Sequence, residues 1–218
     1  MATYKEIRGI NIQSLDSDPT EVEGEVWYNA STGILKMHVA SESWATGGAI
    51  NTARRALRGC GTQTAGLVCA GATVAITEEY NGASWTESGD LGTARYAGSH
   101  SGIQTASVYA GGFDDPGACI ANSEEYNGST WAEGNNLGTG RYFVAGLGTQ
   151  TAAFATGGGP QSPRNAAAIV ESYNGTSWTE TTDFNTSKKR HGAAGTTTAA
   201  LVFGGDAPGA TATTETYD

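Results

Sequence analysis

The residues able to do chemistry in this chain are few and scattered. Its histidines, His38, His100 and His191, lie far from one another, and its cysteines, Cys60, Cys69 and Cys119, are odd in number and lack metal-ligand spacing. The thiols read as small hydrophobes, so neither a disulfide framework nor a zinc site is expected. Carboxylates stand side by side in Glu78-Glu79, Glu124-Glu125 and Asp114-Asp115. Adjacent strand residues point to opposite faces, so such pairs do not converge as the acid and base of a glycosidase would. A Gly-x-Ser-x-Gly nucleophile motif is also missing. The chain therefore reads as non-enzymatic, with no cofactor, no metal and no catalytic residue.

Basic residues carry a different message. Arg54, Arg95, Arg141 and Lys188 close four similar stretches, NTAR, LGTAR, LGTGR and FNTSK. Their recurrence predicts a structural contact to a neighbouring carbonyl or carboxylate, for which the guanidinium fork is suited. They do not form a patch for nucleic acid. With net charge −10 and no basic cluster longer than Lys188-Lys189-Arg190, the counterion-release contribution that drives such binding is lacking. Membrane insertion is not expected either, since no apolar run approaches about 20 residues and the start, MATYKEIRGI, lacks the apolar core of a secretory signal. The sequons at Asn29, Asn127 and Asn174 are then explained by turn chemistry.

The elements that must position these groups repeat. Trp44, Trp85, Trp131 and Trp178 are separated by 41, 46 and 47 residues, and Tyr80, Tyr126, Tyr173 and Tyr217 end the segments ITEEY, NSEEY, IVESY and TTETY. Seven residues after each basic residue comes Gly61, Gly102, Gly148 or Gly195, and ten later Gly71, Gly112, Gly158 or Gly205. Between the glycines lie short apolar runs rich in Thr and Val, which read as buried strands. Asn81-Gly82, Asn127-Gly128 and Asn174-Gly175 then predict type I′ hairpins, and the returning strand carries the tryptophan. Each unit of about 45 residues is a four-stranded antiparallel sheet that must stack on its own copies.

A basic residue, a strand ending in Gly-Gly, a Glu-x-Tyr strand, a tight turn and then Trp: this order resembles the kelch repeat of β-propellers over about four-fifths of the chain. The first unit departs from it with Ala70-Gly71, the last with Lys188. The resemblance implies an all-β fold, a small kelch-like β-propeller of about four four-stranded blades over residues 43–218. Pairing of the C-terminal TTETYD strand with the strand around Trp44 would close the ring and remove its edges; an open arc completed by another subunit is the alternative. Copper radical oxidases use kelch-like propellers, but their sites resemble two histidines and two tyrosines, one cross-linked to cysteine, built with a further domain. His100 and His191 read instead as strand residues. The variable loops leaving the Gly-Gly corners should gather on one face, where Phe113 could stack on a sugar and Asp114, Asp115, Arg164 and Asp206 could bind its hydroxyls.

Residues 1–42 fall outside the repeat and read as an extended arm and a β-hairpin, EVWYN and ILKMHV joined across Ala30-Ser31-Thr32-Gly33. The pattern Gly24-Glu25-Val26-Trp27-Tyr28-Asn29 with Thr32-Gly33-Ile34-Leu35-Lys36 resembles a short module near the start of tailed-phage virion proteins, including fibres, where such modules dock or oligomerise. That implies docking through Trp27, Tyr28, Ile34 and Leu35. Together with Gly- and Thr-rich repeats it implies a virion structural or appendage protein, assembled in the host cytoplasm, whose partners are other virion proteins, further copies of itself and a host-surface glycan. The alternative is a free-standing glycan-binding lectin module.

Overall fold

The computed structural model describes residues 6–7, 10–20, 25–37, 44–72, 74–114, 117–160 and 165–218. The chain divides into two units, Met1–Thr46 and Gly47–Asp218.

In the first unit β1 (Glu6–Ile7) pairs antiparallel with β2 (Ile10–Asn11). Strand β3 (Gln13–Leu15) lies parallel to β4 (Val26–Asn29), which forms the expected hairpin with β5 (Ile34–Met37). The arm thus contributes a third strand beside the hairpin. Asp18 ties the sheet together: its carboxylate accepts from Lys36 Nζ (2.7 Å), Asn29 Nδ2 (2.7 Å) and Trp27 Nε1 (3.1 Å). Those three donors, Lys36 first, hold its pKa down to about 2.

The second unit is four successive antiparallel meanders. The first contains β6 (Arg58–Thr62), β7 (Ala65–Cys69), β8 (Thr77–Tyr80) and β9 (Trp85–Glu87). Next come β10 (Arg95–Tyr96), β11 (Ser99–Ile103), β12 (Ala106–Ala110), β13 (Phe113–Asp114), β14 (Ser123–Tyr126) and β15 (Trp131–Glu133); β11, β12, β14 and β15 make the second sheet, and β10 pairs with β13. The third holds β16 (Ala145–Thr149), β17 (Ala152–Thr156), β18 (Val170–Tyr173) and β19 (Trp178–Glu180). The fourth has three strands, β20 (Gly192–Thr196), β21 (Ala199–Phe203) and β22 (Thr214–Tyr217).

The first strands of the sheets stand side by side, β11 against β6 and β16, and β16 against β20. Between sheets lie three apolar layers. Cys69 and Leu91 meet Tyr109, then Val108 and Ala110 meet Ala153, Tyr173 and Trp178, then Phe154 and Val170 meet Ala200. Small residues let the sheets approach closely. A Cβ on Gly146 would sit 2.6 Å from the His100 carbonyl oxygen and 2.7 Å from its nitrogen. Gly146→Val is therefore expected to destabilise the fold by about 1–3 kcal/mol through overpacking, read as a lowered urea midpoint.

Two expectations are corrected. The Asn-Gly connections are not two-residue type I′ turns. Only the glycines have positive φ, Tyr80 pairs with Trp85 across a four-residue loop, and Asn81 Oδ1 accepts from the N–H groups of Ala83 and Ser84. The asparagine therefore works as a side-chain cap of the loop. Nor do the sheets close into a ring of four four-stranded blades. Among the described residues β22 pairs only with β21, while Trp44 lies in no strand and is fully exposed.

Candidate functional site

The repeated basic residues and carboxylates come together inside each sheet. Arg54 pairs with Glu78, Arg95 with Glu124 (3.0 Å), Arg141 with Glu171 (2.8 Å) and Lys188 with Glu215 (3.0 Å). All four basic side chains are buried. Each carboxylate also accepts a backbone N–H from the stretch that enters its sheet: Asn51, Gly92, Gly138 or Asn185, at 2.6–2.7 Å. Burial works against the charge of Glu78 and Glu215, but the paired cation and the N–H donors outweigh it and hold both pKa values below the usual range. Further guanidinium donors go to carbonyls, as from Arg141 to Gly157 and Ile169, while Arg54 Nη2, Arg95 Nε and Nη1 and Arg141 Nε are buried without a hydrogen-bond partner among the described residues. Each of these cations is held in a buried ion pair, which a substrate would have to break to use it.

The second carboxylate of each Glu pair points the other way and serves the interface between sheets. Glu79 accepts from the Tyr126 hydroxyl (2.5 Å) and Glu125 from that of Tyr173. Trp131 Nε1 donates to Thr77 Oγ1 (2.9 Å) and Trp178 Nε1 to Ser123 Oγ (3.1 Å). Gln104 Nε2 reaches the carbonyls of Gly66 and Tyr80, and Gln150 those of Ser107 and Tyr126.

His100 comes close to two thiols, with Cys60 Sγ 3.5 Å from Nε2 and Cys69 Sγ 3.8 Å from Nδ1. A thiol beside an imidazole is the raw material of a cysteine nucleophile, which requires a depressed thiol pKa. Here burial does the opposite. It pushes the Cys60 thiol up to about 12, raises Cys69 as well, and lowers His100 to about 4. At neutral pH the group is an uncharged thiol–imidazole cluster with no thiolate to attack. Among the described residues, no set of three or more His, Cys, Asp and Glu side chains is arranged to hold a metal.

Where the first strands converge there is an open cavity of about 400 Å³ lined by Arg58, His100, Phe143, Gly146, Arg190 and His191. Four backbone positions around it share one conformation. Ala56, Ala97, Phe143 and Arg190, each two residues after the repeated basic residue, have φ of 55–57° without being glycine. Such strain recurs at sites that aim side chains. It carries Phe143 and Arg190 to the rim, where the guanidinium lies 4.1 Å over the ring and pairs with Asp206 at 2.8 Å. The described lining carries two guanidiniums, Arg58 and Arg190, the latter paired with Asp206 at the rim, and no carboxylate of its own.

The anticipated loop residues are only partly gathered. Phe113 stacks on Tyr142 (5.3 Å), Tyr142 on Phe143 (4.7 Å), and Arg190 then links Phe143 to Asp206. Phe113 and Asp206 thus lie at two ends of one aromatic and cationic track. Asp114 instead caps its own loop, accepting from the N–H of Ala118 (2.6 Å). Asp115 and Arg164 lie outside the described residues. In the first unit Trp27 turns inward, while Tyr28 and Leu35 face outward together and Ile34 is exposed on the opposite face. Sequence reasoning missed Arg58, Phe143 and Arg190. The available signal was that the position two after each basic residue varies freely in an otherwise regular repeat.

No protein-family model matches the chain, and no curated protein matches it.

Proposed function

We propose that the chain is a non-enzymatic virion appendage protein in which a kelch-like stack of blades is carried by an N-terminal docking sheet. The observation that supports docking is an apolar face on that sheet. Val26 and Tyr28 of β4 register with Met37 and Leu35 of β5, and the four side chains are between 38% and 59% exposed. Four contiguous large apolar groups on a small sheet mark a protein–protein contact surface, and another virion protein is its occupant. The docking module anchors copies in the particle, and the blades face outward.

The reading predicts that peptide mass spectrometry of purified particles finds the protein in copy number comparable to other appendage proteins. The double variant Tyr28→Asp, Leu35→Asp, supplied in trans, should drop from particles at least ~tenfold, in line with loss of central interface anchors. Absence of the wild-type protein from intact particles would sink the proposal. A second reading, a glycan-binding module, is favoured by the cavity that Arg58 and Arg190 line beside Phe143, which suits an acidic sugar. On that reading residues 43–218 alone retain sugar binding, and Arg190→Ala abolishes it.

A further inference from the structure

The two ends of the blade stack present the two halves of the same interface. Each internal interface joins a forward face to a rear face through fixed positions. On the forward side stand Leu67 and Cys69, Val108 and Ala110, and Phe154 and Thr156, which are 0–3% exposed. The fourth sheet carries Leu201 and Phe203 at those positions, and there they are 37% and 43% exposed. In the first two sheets the hydroxyl and carboxylate acceptors repeat too, while the third carries Val170 and Ser172 there. Thr77 and Ser123 accept a tryptophan N–H, and Glu79 and Glu125 accept a tyrosine hydroxyl; Thr214 and Thr216 occupy these places in β22 and are exposed.

The first sheet carries the complementary rear face. Gln63 corresponds to Gln104 and Gln150, Tyr80 to Tyr126 and Tyr173, and Trp85 to Trp131 and Trp178. Gln63 is exposed, and Tyr80 and Trp85 are half-buried. Their counterparts Tyr126 and Tyr173 are buried.

We infer that the forward face of sheet four docks on the rear face of sheet one of a second copy of this chain, making a head-to-tail contact that repeats the internal blade interface. Gln63 then donates to the carbonyls of Ala200 and Tyr217, Trp85 to Thr214, and Tyr80 to Thr216. Leu201 and Phe203 pack where Leu67 and Cys69 pack internally. A further feature fits the same arrangement. Trp44 precedes Arg54 by ten residues, as Trp85 precedes Arg95, Trp131 precedes Arg141 and Trp178 precedes Lys188. In every complete sheet the tryptophan strand pairs with the tyrosine strand, with ring centroids 4.7–5.0 Å apart. Among the described residues no tryptophan strand pairs with the strand of Tyr217, and Trp44 is fully exposed. Trp44 of one copy therefore stands opposite Tyr217 of the next, supplying the outer strand that sheet four lacks. Because the contact joins unlike faces, it propagates into rings or filaments unless its rotation closes a dimer. The inference rests on the blade faces alone and stands whether or not the protein is a virion component.

The test uses full-length protein in sedimentation velocity. Wild type is expected to exceed the 22.3 kDa of one chain and to grow with concentration. Leu201→Glu places a charge in the forward face, and Gln63→Glu turns a donor into an acceptor facing carbonyls in the rear face. Each variant alone should self-associate at least ~tenfold more weakly. An equimolar mixture should form a capped dimer and nothing larger, because each variant retains the face the other has lost. That complementation also shows that both variants are folded. A wild type that stays monomeric overturns the inference, as does self-association of either variant at the wild-type level, or a mixture that stays monomeric while wild type assembles.

Discussion

Arg141→Met is expected to lower the free energy of unfolding by about 3–5 kcal/mol, the range for removing one partner of a buried ion pair. The guanidinium lies entirely out of solvent, bonded to Glu171 and to the carbonyls of Gly157 and Ile169. Burial pushes its pKa down, and the Glu171 carboxylate opposes that shift. Without the cation, Glu171 keeps one N–H donor, from Gly138, and remains a desolvated charge. The carbonyls lose their donors at the same time. Equilibrium urea denaturation with an unchanged m-value measures the loss. A double variant, Arg141→Met with Glu171→Leu, is expected to recover part of it, because the stranded charge is gone. A single variant within 1 kcal/mol of wild type would mean that the pair is not what holds the stretch entering the third sheet.

The second large effect is loss of stability in mild acid. His100 and His191 are buried, and burial is the main cause that lowers both from 6.5 to about 4. His100 faces Cys60, Cys69, Ser107 and Tyr109, while His191 faces Thr156 and Phe184 with Lys188, Arg58 and Arg141 near. In the unfolded chain each imidazole takes its proton around pH 6.5. In the fold it does so only near pH 4. Between these values the unfolded state binds more protons, so stability is full above pH 6.5 and falls as pH drops through that window. Each histidine accounts for roughly 3 kcal/mol of the fall. Measured from pH 7 to 4, the unfolding free energy of His191→Gln should decline about half as much as that of wild type. An unaltered pH profile in that variant would assign the acid sensitivity elsewhere, with Glu78 and Glu215 the next groups to titrate below it.

The repeated sheets were legible because their signals are local. Glycine-bounded Thr- and Val-rich runs, the Tyr and Trp beat and the Asn-Gly loops are each set within a few residues, and β7, β12, β17 and β21 lie where those runs predict. The recurrence of Arg54, Arg95, Arg141 and Lys188 pointed to a structural partner, and the first acid of each Glu-x-Tyr segment is that partner. What the sequence did not disclose depends on relations between sheets. That β22 pairs, among the described residues, with β21 alone depends on packing between sheets, which no local residue pattern encodes. The strained backbone at Ala56, Ala97, Phe143 and Arg190 was hidden for another reason. Glycine normally advertises positive φ, and at these places side chains take the strain, so the only mark of the rim was free variation two residues after each basic residue.

The division of labour between the two adjacent acids of the first two repeats, Glu78-Glu79 and Glu124-Glu125, has a genetic consequence. The first closes an ion pair within its own sheet, while the second, with the Tyr, Trp and Gln positions, serves the neighbouring sheet. A stretch of DNA coding for one whole period therefore encodes a part that holds itself together, offers acceptors ahead and sends donors behind. In-frame duplication of the second stretch by unequal recombination would leave the new junction chemically matched, because Thr77 and Glu79 meet Trp131 and Tyr126 as Ser123 and Glu125 meet Trp178 and Tyr173. The length of the stack can then change in one event, without compensating point mutations.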